Sequence, residues 1–200
     1  PAIPYPHKYA NLISEKGIFP AVNEILFKEN SALGILGMIT KGSAAVIGKD
    51  AIKLMQMLVD VEMRIFNGLN VKVIFLQNII TDLLLGYEVK ELFFEYCQYI
   101  RKKYNAEPGY ITMNMPMLLD VINMIGLENP IICSSINKIG LRMSGGIELY
   151  EKYLHNKQFR PIAMQVLAAG ALKPKEATEY LGRFNNIEAV LFGASSNDHI

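Results

Sequence analysis

A short turn of small residues near the end of the chain has the composition of a phosphate-binding site. The segment Gly193-Ala194-Ser195-Ser196 follows an apolar run over residues 187–192 and precedes Asn197 and Asp198, which are typical of a helix start. Glycine permits close approach of the backbone, and free N–H groups at a helix N-terminus, together with two hydroxyl groups, attract an anion. Gly170 would bring a second backbone segment to the same ligand. The alternative interpretation is a helix cap that follows a strand.

Lys41 is the second residue whose position could support chemistry. It follows an apolar run and lies between Thr40 and Gly42, where desolvation or a neighbouring cation would lower the pKa of its ammonium group. Such a lysine can polarise a carbonyl, pair with a general acid or form a Schiff base. Lys138 is a further candidate on the same face. The alternative for both is a solvated loop lysine.

The histidines and cysteines argue against a metal centre. His7, His155 and His199 are the only histidines, and none lies at the end of a predicted strand. Cys97 and Cys133 lie far apart and form no zinc-binding spacing. Because disulfide and zinc patterns are both absent and the N-terminus does not resemble a signal peptide, the sequence predicts a cytoplasmic protein without a metal.

The charge balance argues against nucleic acid or a membrane as a partner. Twenty Lys and Arg residues oppose 19 Asp and Glu residues, which gives a net charge of +1. The longest basic cluster, Arg101-Lys102-Lys103, falls at the end of a predicted helix, where it complements the helix dipole. The apolar stretches are shorter than the about 20 residues that span a bilayer.

The elements that must position these residues alternate along the chain. Short apolar or β-branched runs, which predict strands, cover residues 33–40, 71–78, 110–114, 130–135, 161–167 and 187–192. Stretches with helical spacing cover residues 20–28, 49–66, 89–104, 116–125, 146–154 and 174–184. Continuous hydrophobicity, as in residues 73–76, is typical of strands covered on both faces. The pattern therefore predicts an α/β fold with a parallel sheet.

Units of roughly thirty residues match the repeat of a (β/α)₈ TIM barrel, which typically has about 250 residues. We therefore expect a single TIM-barrel domain over residues 1–200, as an incomplete record that lacks the first two strands and the last helix. The alternative is an open, doubly wound sheet of six strands. A barrel without two strands would have open edges that can pair with another chain, so a homo-oligomer is an expected partner state.

The last third of the chain resembles the aldo-keto reductases. The resemblance is carried by residues 167–177 (LAAGALKPKEA) and 186–196 (NIEAVLFGASS) and extends less specifically over residues 33–200. In that family, strand seven leads into a turn of small residues and glycine, and strand eight ends in a Gly-Ala/Met-Ser-Ser turn. Both turns hold the phosphates of NADP(H). The resemblance implies that Leu167, Gly170 and Gly193-Ala194-Ser195-Ser196 bind NADP(H).

The resemblance also assigns roles to residues nearer the N-terminus. Lys41 falls at the position of the catalytic lysine, and Asn114 at that of an asparagine that binds the nicotinamide amide. Tyr9 matches the proton-donating tyrosine, with Tyr5 nearly as good a match. Gln77 stands where the family has a histidine, and glutamine can orient a carbonyl but cannot change its protonation state near neutrality.

Three departures from the family concern the nicotinamide end of the site. Met113 replaces the serine before the asparagine, Cys133 or Ser134 stands at the position of a glutamine, and Met164 replaces the tyrosine that stacks on the nicotinamide. The phosphate end matches the family better than the hydride-transfer end.

These observations predict an aldo-keto-reductase-like oxidoreductase that reduces a carbonyl with NADP(H). Two alternatives stay open. One is a Schiff-base aldolase or lyase that acts on a phosphorylated substrate through Lys41 or Lys138. The other is a barrel protein without catalysis that binds a phosphate-containing ligand.

Overall fold

The computed structural model describes residues 1–3 and 49–193 of the chain. Six strands within this part form one parallel sheet in the order of the chain, which confirms the α/β class. The strands are β1 (Ala2–Ile3), β2 (Val73–Leu76), β3 (Glu107–Thr112), β4 (Ile131–Ser135), β5 (Arg160–Met164) and β6 (Ala189–Val190). The helices are α1 (Lys49–Met63), α2 (Asn78–Gly86), α3 (Glu91–Tyr104), α4 (Met115–Met124), α5 (Ile147–Asn156) and α6 (Pro174–Leu181).

The chain has two compact units, Pro1–Gly109 and Tyr110–Ile200. The expectation of a single domain stays a prediction. The predicted strand over residues 33–40 and the predicted helix over residues 20–28 lie outside the described residues. Across residues 1–3 and 49–193, no helix has the length and apolar character needed to cross a bilayer.

In the first unit, β1 pairs with β2 through backbone hydrogen bonds. Phe75 N donates to Pro1 O at 2.7 Å, and Gln77 N donates to Ile3 O at 3.1 Å. The sequence predicted β2 but not β1, because two residues are too few to show a period. Ile74 and Leu76 of β2 are fully buried, whereas Val73 and Phe75 are partly exposed. The expectation that residues 73–76 form a strand covered on both faces is therefore confirmed for one face only.

Gly109 of β3 allows close packing within the first unit. A Cβ atom on Gly109 would lie 2.5 Å from two ring carbons of Phe75. Because such a contact is far inside van der Waals distance, the absence of a side chain at Gly109 lets the Phe75 ring lie against the β3 backbone.

In the second unit, β4 pairs with β5 along its whole length. Five residues of β4 align with five of β5, from Ile131 with Arg160 to Ser135 with Met164. All five residues of β4 are buried, which is the burial of a strand covered on both faces. β6 adds a short pairing on the other side of β5.

Two helix starts in the second unit follow local sequence signals. The Asn114 side chain accepts a hydrogen bond from Met117 N at the start of α4, where Pro116 occupies the first turn. Pro174 begins α6, and Lys173 N donates to the carboxylate of Glu176. The starts predicted at residues 116 and 174 are confirmed within one residue.

Candidate functional site

A cleft of about 720 Å³ lies at the carboxyl ends of β5 and β6. This volume is within the roughly 300–1,000 Å³ of small-molecule sites. Ligands of parallel α/β folds bind at this end of the strands. The cleft is lined by the last residue of β5 and by residues that follow β4, β5 and β6: Leu141, Arg142, Met164, Gln165, Val166, Leu167, Ala168, Ala169, Gly170, Leu191, Phe192 and Gly193. It therefore brings together three of the residues predicted to bind the cofactor, Leu167, Gly170 and Gly193.

The turn after β5 has an unusual backbone. Gln165, Ala168, Ala169 and Gly170 have positive φ angles of 53°, 48°, 57° and 90°. For Gly170, a Cβ atom would meet nothing within 4 Å, so the left-handed conformation rather than lack of space favours glycine there. The two alanines adopt a conformation that costs a non-glycine residue roughly 1–2 kcal/mol.

This turn leaves amide groups available to a ligand. The N–H groups of Val166, Leu167 and Ala169 donate to no backbone carbonyl among the described residues, whereas Ala168 N donates to Gln165 O at 2.9 Å. Successive amides in alternating right- and left-handed conformations form concavities that bind anions. Leu167 is near the right-handed region, with φ −85° and ψ 3°, and precedes left-handed Ala168. The backbone is thus suited to an anionic group.

Arg142 places a positive charge at the cleft. It is exposed and forms no ion pair within the described part of the chain. The loop that carries it is fixed by Asn137, which is 1% exposed. The Asn137 side chain accepts a hydrogen bond from Leu141 N at 2.8 Å and donates one to Leu141 O at 2.9 Å. A guanidinium group beside free amides favours a phosphate ligand.

Sequence reasoning did not single out Arg142. The residue lies seven positions after β4, inside a loop with three glycines (Gly140, Gly145 and Gly146). The buried asparagine before the loop is the signal that could have drawn attention to it, because Asn side chains often close turns by hydrogen bonding to the backbone.

The structure describes two of the residues predicted at the hydride-transfer end of the site, Asn114 and Gln77, and the hydrogen bonding of their side chains differs. Asn114 uses its Oδ1 atom to cap α4, at 3.3 Å from Met117 N, which accounts for the asparagine without a ligand. The Oε1 atom of Gln77, just after β2, is buried and has no hydrogen-bond partner among the described residues. Neither residue lines the cleft. Their assigned roles stay predictions.

The remaining predicted site residues lie outside the described residues. These are Lys41 and Tyr9 among the catalytic candidates and Ala194, Ser195 and Ser196 of the predicted phosphate-binding turn.

Lys138, the other lysine considered for a Schiff base, lies within the described part. Its side chain is 54% exposed, and its Nζ atom is 3.6 Å from Glu176 Oε1. A hydrated, ion-paired ammonium group lacks the desolvation that activates a lysine nucleophile.

The described residues offer neither a thiol nucleophile nor a metal site. Burial raises the pKa of Cys133 to about 12, so this thiol stays protonated at neutral pH. No group of three or more His, Cys, Asp or Glu residues is arranged around a metal position in residues 1–3 and 49–193.

Comparisons with known proteins give no relative. No protein-family model matches the chain, and no curated protein or solved structure is significantly similar to it.

Proposed function

We propose that the protein is an aldo-keto-reductase-like oxidoreductase with a (β/α)₈ barrel fold that binds NADP(H) in the cleft after β5 and β6. The observation that carries the proposal is the meeting of Leu167, Gly170 and Gly193 in one cleft with the cation of Arg142, which has no ion-pair partner in the part of the chain that the structure describes. A parallel sheet in chain order with helices between most of its strands is also what part of such a barrel requires.

The residues present fit a phosphate-bearing cofactor. The amides of Val166, Leu167 and Ala169, which donate to no backbone carbonyl of the described residues, would hold a phosphate group, and Arg142 would neutralise part of its charge. Gly193, and beyond it Ala194, Ser195 and Ser196, would supply the second backbone segment. The apolar side chains of Leu141, Leu191 and Phe192 would contact the body of the cofactor and exclude water.

The bound cofactor would supply hydride transfer, and the chain would position the carbonyl substrate and provide a proton. In this proposal Lys41 and Tyr9 form the proton-donating pair. Gln77 orients the substrate carbonyl by donating a hydrogen bond from its amide. Asn114 would hold the carboxamide of the nicotinamide.

Arg142→Gln tests the phosphate site because it removes the charge and keeps much of the side-chain length. A hydrogen bond between charged groups contributes about 1.5–3 kcal/mol, so we expect the variant to bind NADPH roughly tenfold or more weakly. The measurement is the fluorescence of NADPH titrated with purified protein. Equal affinity of wild type and Arg142→Gln would contradict the proposed site.

Lys157→Gln is the matched control for this experiment. It removes the same charge from the second unit, but Lys157 precedes β5 and so lies toward the amino end of that strand, opposite the cleft. We expect it to bind NADPH as wild type does. A similar loss in both variants would indicate a general effect of net charge.

A second assay separates catalysis from binding. If the protein is an active reductase, NADPH oxidation follows the addition of members of an aldehyde panel. Saturable NADPH binding without turnover of any aldehyde would favour the barrel protein without catalysis.

A further inference from the structure

Ser135 and Gln165 form a short hydrogen bond beside the cleft. Ser135 is the last residue of β4 and is fully buried, and its Oγ atom lies 2.6 Å from Gln165 Oε1. Hydrogen bonds from hydroxyl groups to oxygen are typically about 2.5–3.0 Å long, whereas those from nitrogen are about 2.7–3.2 Å. The distance therefore fits the hydroxyl donating to the side-chain carbonyl oxygen of Gln165.

This contact fixes which end of the glutamine amide remains available. The other acceptor near the Ser135 hydroxyl is Met113 Sδ at 3.4 Å, and a thioether is a weak acceptor. With Oε1 held by Ser135, the Nε2 group of Gln165 keeps two donors, and these have no acceptor within the described residues. Gln165 also lines the cleft.

The groups that line the cleft differ in the ligand chemistry they suit. β5 pairs with β4 on one side and with β6 on the other. Gln165 is bonded toward β4 through Ser135, whereas Gly193 follows β6. Free backbone amides and glycines are suited to a phosphate group, and a single neutral amide is suited to an uncharged oxygen acceptor.

We propose that Gln165 determines ligand specificity by donating a hydrogen bond to a carbonyl or hydroxyl oxygen on the body of a phosphorylated ligand. Ser135 is a positioning residue that keeps the amide nitrogen directed away from β4. The inference rests on the proposed function in using the same cleft, but it does not require the ligand to be NADP(H).

Gln165→Met tests this proposal because methionine keeps the side-chain length and removes both donors. We expect this variant to bind NADPH about five- to tenfold more weakly, because one hydrogen bond is lost and the acceptor oxygen of the ligand is left unsatisfied. Binding of inorganic phosphate should not change.

Ser135→Ala should weaken NADPH binding by a smaller factor, because the amide is then free to rotate. Gln158→Met, at an exposed glutamine of the same unit, is the control and should bind both ligands as wild type does.

The side-chain amide signals of Gln165 provide a direct readout in the intact protein. They are identified in ¹⁵N-labelled protein as the signals that Gln165→Met lacks. We expect them to shift on addition of NADPH and not on addition of inorganic phosphate. If inorganic phosphate by itself shifts the Gln165 signals, the proposal is overturned, because the amide then contacts the phosphate group.

Other outcomes separate this inference from the proposed function. If NADPH binds by fluorescence but the Gln165 signals stay in place, the role of Gln165 is wrong and the cofactor proposal stands. If NADPH fails to bind but ribose 5-phosphate shifts the signals, the cofactor is wrong and the role of Gln165 stands. No shift with NADPH or ribose 5-phosphate would overturn the role of Gln165.

Discussion

At the scale of single residues, Tyr150 links the end of β3 to the start of α4. Its hydroxyl group donates to Met113 O at 2.8 Å and accepts from Met115 N at 3.1 Å, and the residue is fully buried. One side chain thus satisfies a carbonyl after a strand and an amide in the first turn of a helix. The hydrogen bond from the Met115 amide is fully buried, so its loss matters for stability.

Tyr150→Phe should destabilise the second unit. Removal of the hydroxyl takes away the acceptor of the buried Met115 amide, whereas the Met113 carbonyl keeps its hydrogen bond from Ser144 N at 2.9 Å. A buried unsatisfied group costs about 1–3 kcal/mol. The measurement is the urea midpoint of unfolding. Tyr153→Phe is the control, because the Tyr153 hydroxyl contacts Asp120 at an exposed position and its loss should change stability by less than about 0.5 kcal/mol. Equal midpoints for the two variants would contradict this role of Tyr150.

At the scale of elements, α1 and α3 are joined by a polar cluster around Asp60. The Asp60 carboxylate accepts hydrogen bonds from Tyr99 at 2.5 Å, from Tyr104 at 2.6 Å and from Lys103. Burial by itself would raise the pKa of Asp60, but the hydrogen bonds from Lys103, Tyr104 and Tyr99 outweigh it and hold that pKa below its ordinary value. Burial and the Asp60 carboxylate together raise the pKa of Tyr104.

These shifts predict how stability depends on pH. Because the pKa of Asp60 is lower in the folded state, its contribution is present above the unfolded-state value, about 3.9, and is lost as the pH falls through the lowered value. The pKa of Tyr104 is raised in the folded state, so its effect on stability runs in the opposite direction. The contribution of Tyr104 to stability is present below about pH 10 and is lost at higher pH. Urea unfolding from pH 2 to pH 11 measures both effects.

Asp60→Asn should flatten this profile at both ends, since the amide carries no charge to be stabilised or to raise the tyrosine pKa. Glu128→Gln removes one exposed carboxylate and controls for the change in net charge. A profile of Asp60→Asn parallel to that of wild type would show that the cluster does not govern the pH dependence.

Among the elements, those with strong local signals could be predicted from the sequence. β4 falls within the strand predicted over residues 130–135, and α6 begins at a proline followed by an acidic residue in its first turn. β1 was missed because its pairing with β2 joins residues more than seventy positions apart. α2 was missed because the apolar residues of Asn78–Gly86 directly follow those of β2, and so short a stretch did not reveal the change of period.

In the candidate site as well, some residues could be predicted from local sequence and others could not. Leu167, Gly170 and Gly193 could be predicted because small residues after a buried strand are a local pattern. The role of Arg142 depends on the hydrogen bonds between Asn137 and Leu141, and the orientation of Gln165 depends on Ser135, thirty positions earlier. Such contacts between loops and strands are set by tertiary packing, which a single sequence does not display.

At the scale of the whole molecule, the central claim is that the parallel sheet presents a phosphate-binding cleft at the carboxyl ends of its strands. The six described strands follow chain order, which is the order within a (β/α)₈ barrel. Such barrels bind ligands at this end through the loops that follow the strands. The turn after β5, the segment after β6 and the loop that carries Arg142 all occupy that position.

The most direct test is calorimetric titration of NADPH and NADH into the wild-type protein. The account predicts saturable binding of NADPH that is tighter than binding of NADH, because only NADPH has the additional phosphate for the amides and Arg142 to hold. The affinity for NADPH should fall as the salt concentration rises, since the contact between its phosphate and Arg142 is ionic. If neither NADPH nor NADH gives a heat of binding while the protein stays folded, the central claim is contradicted.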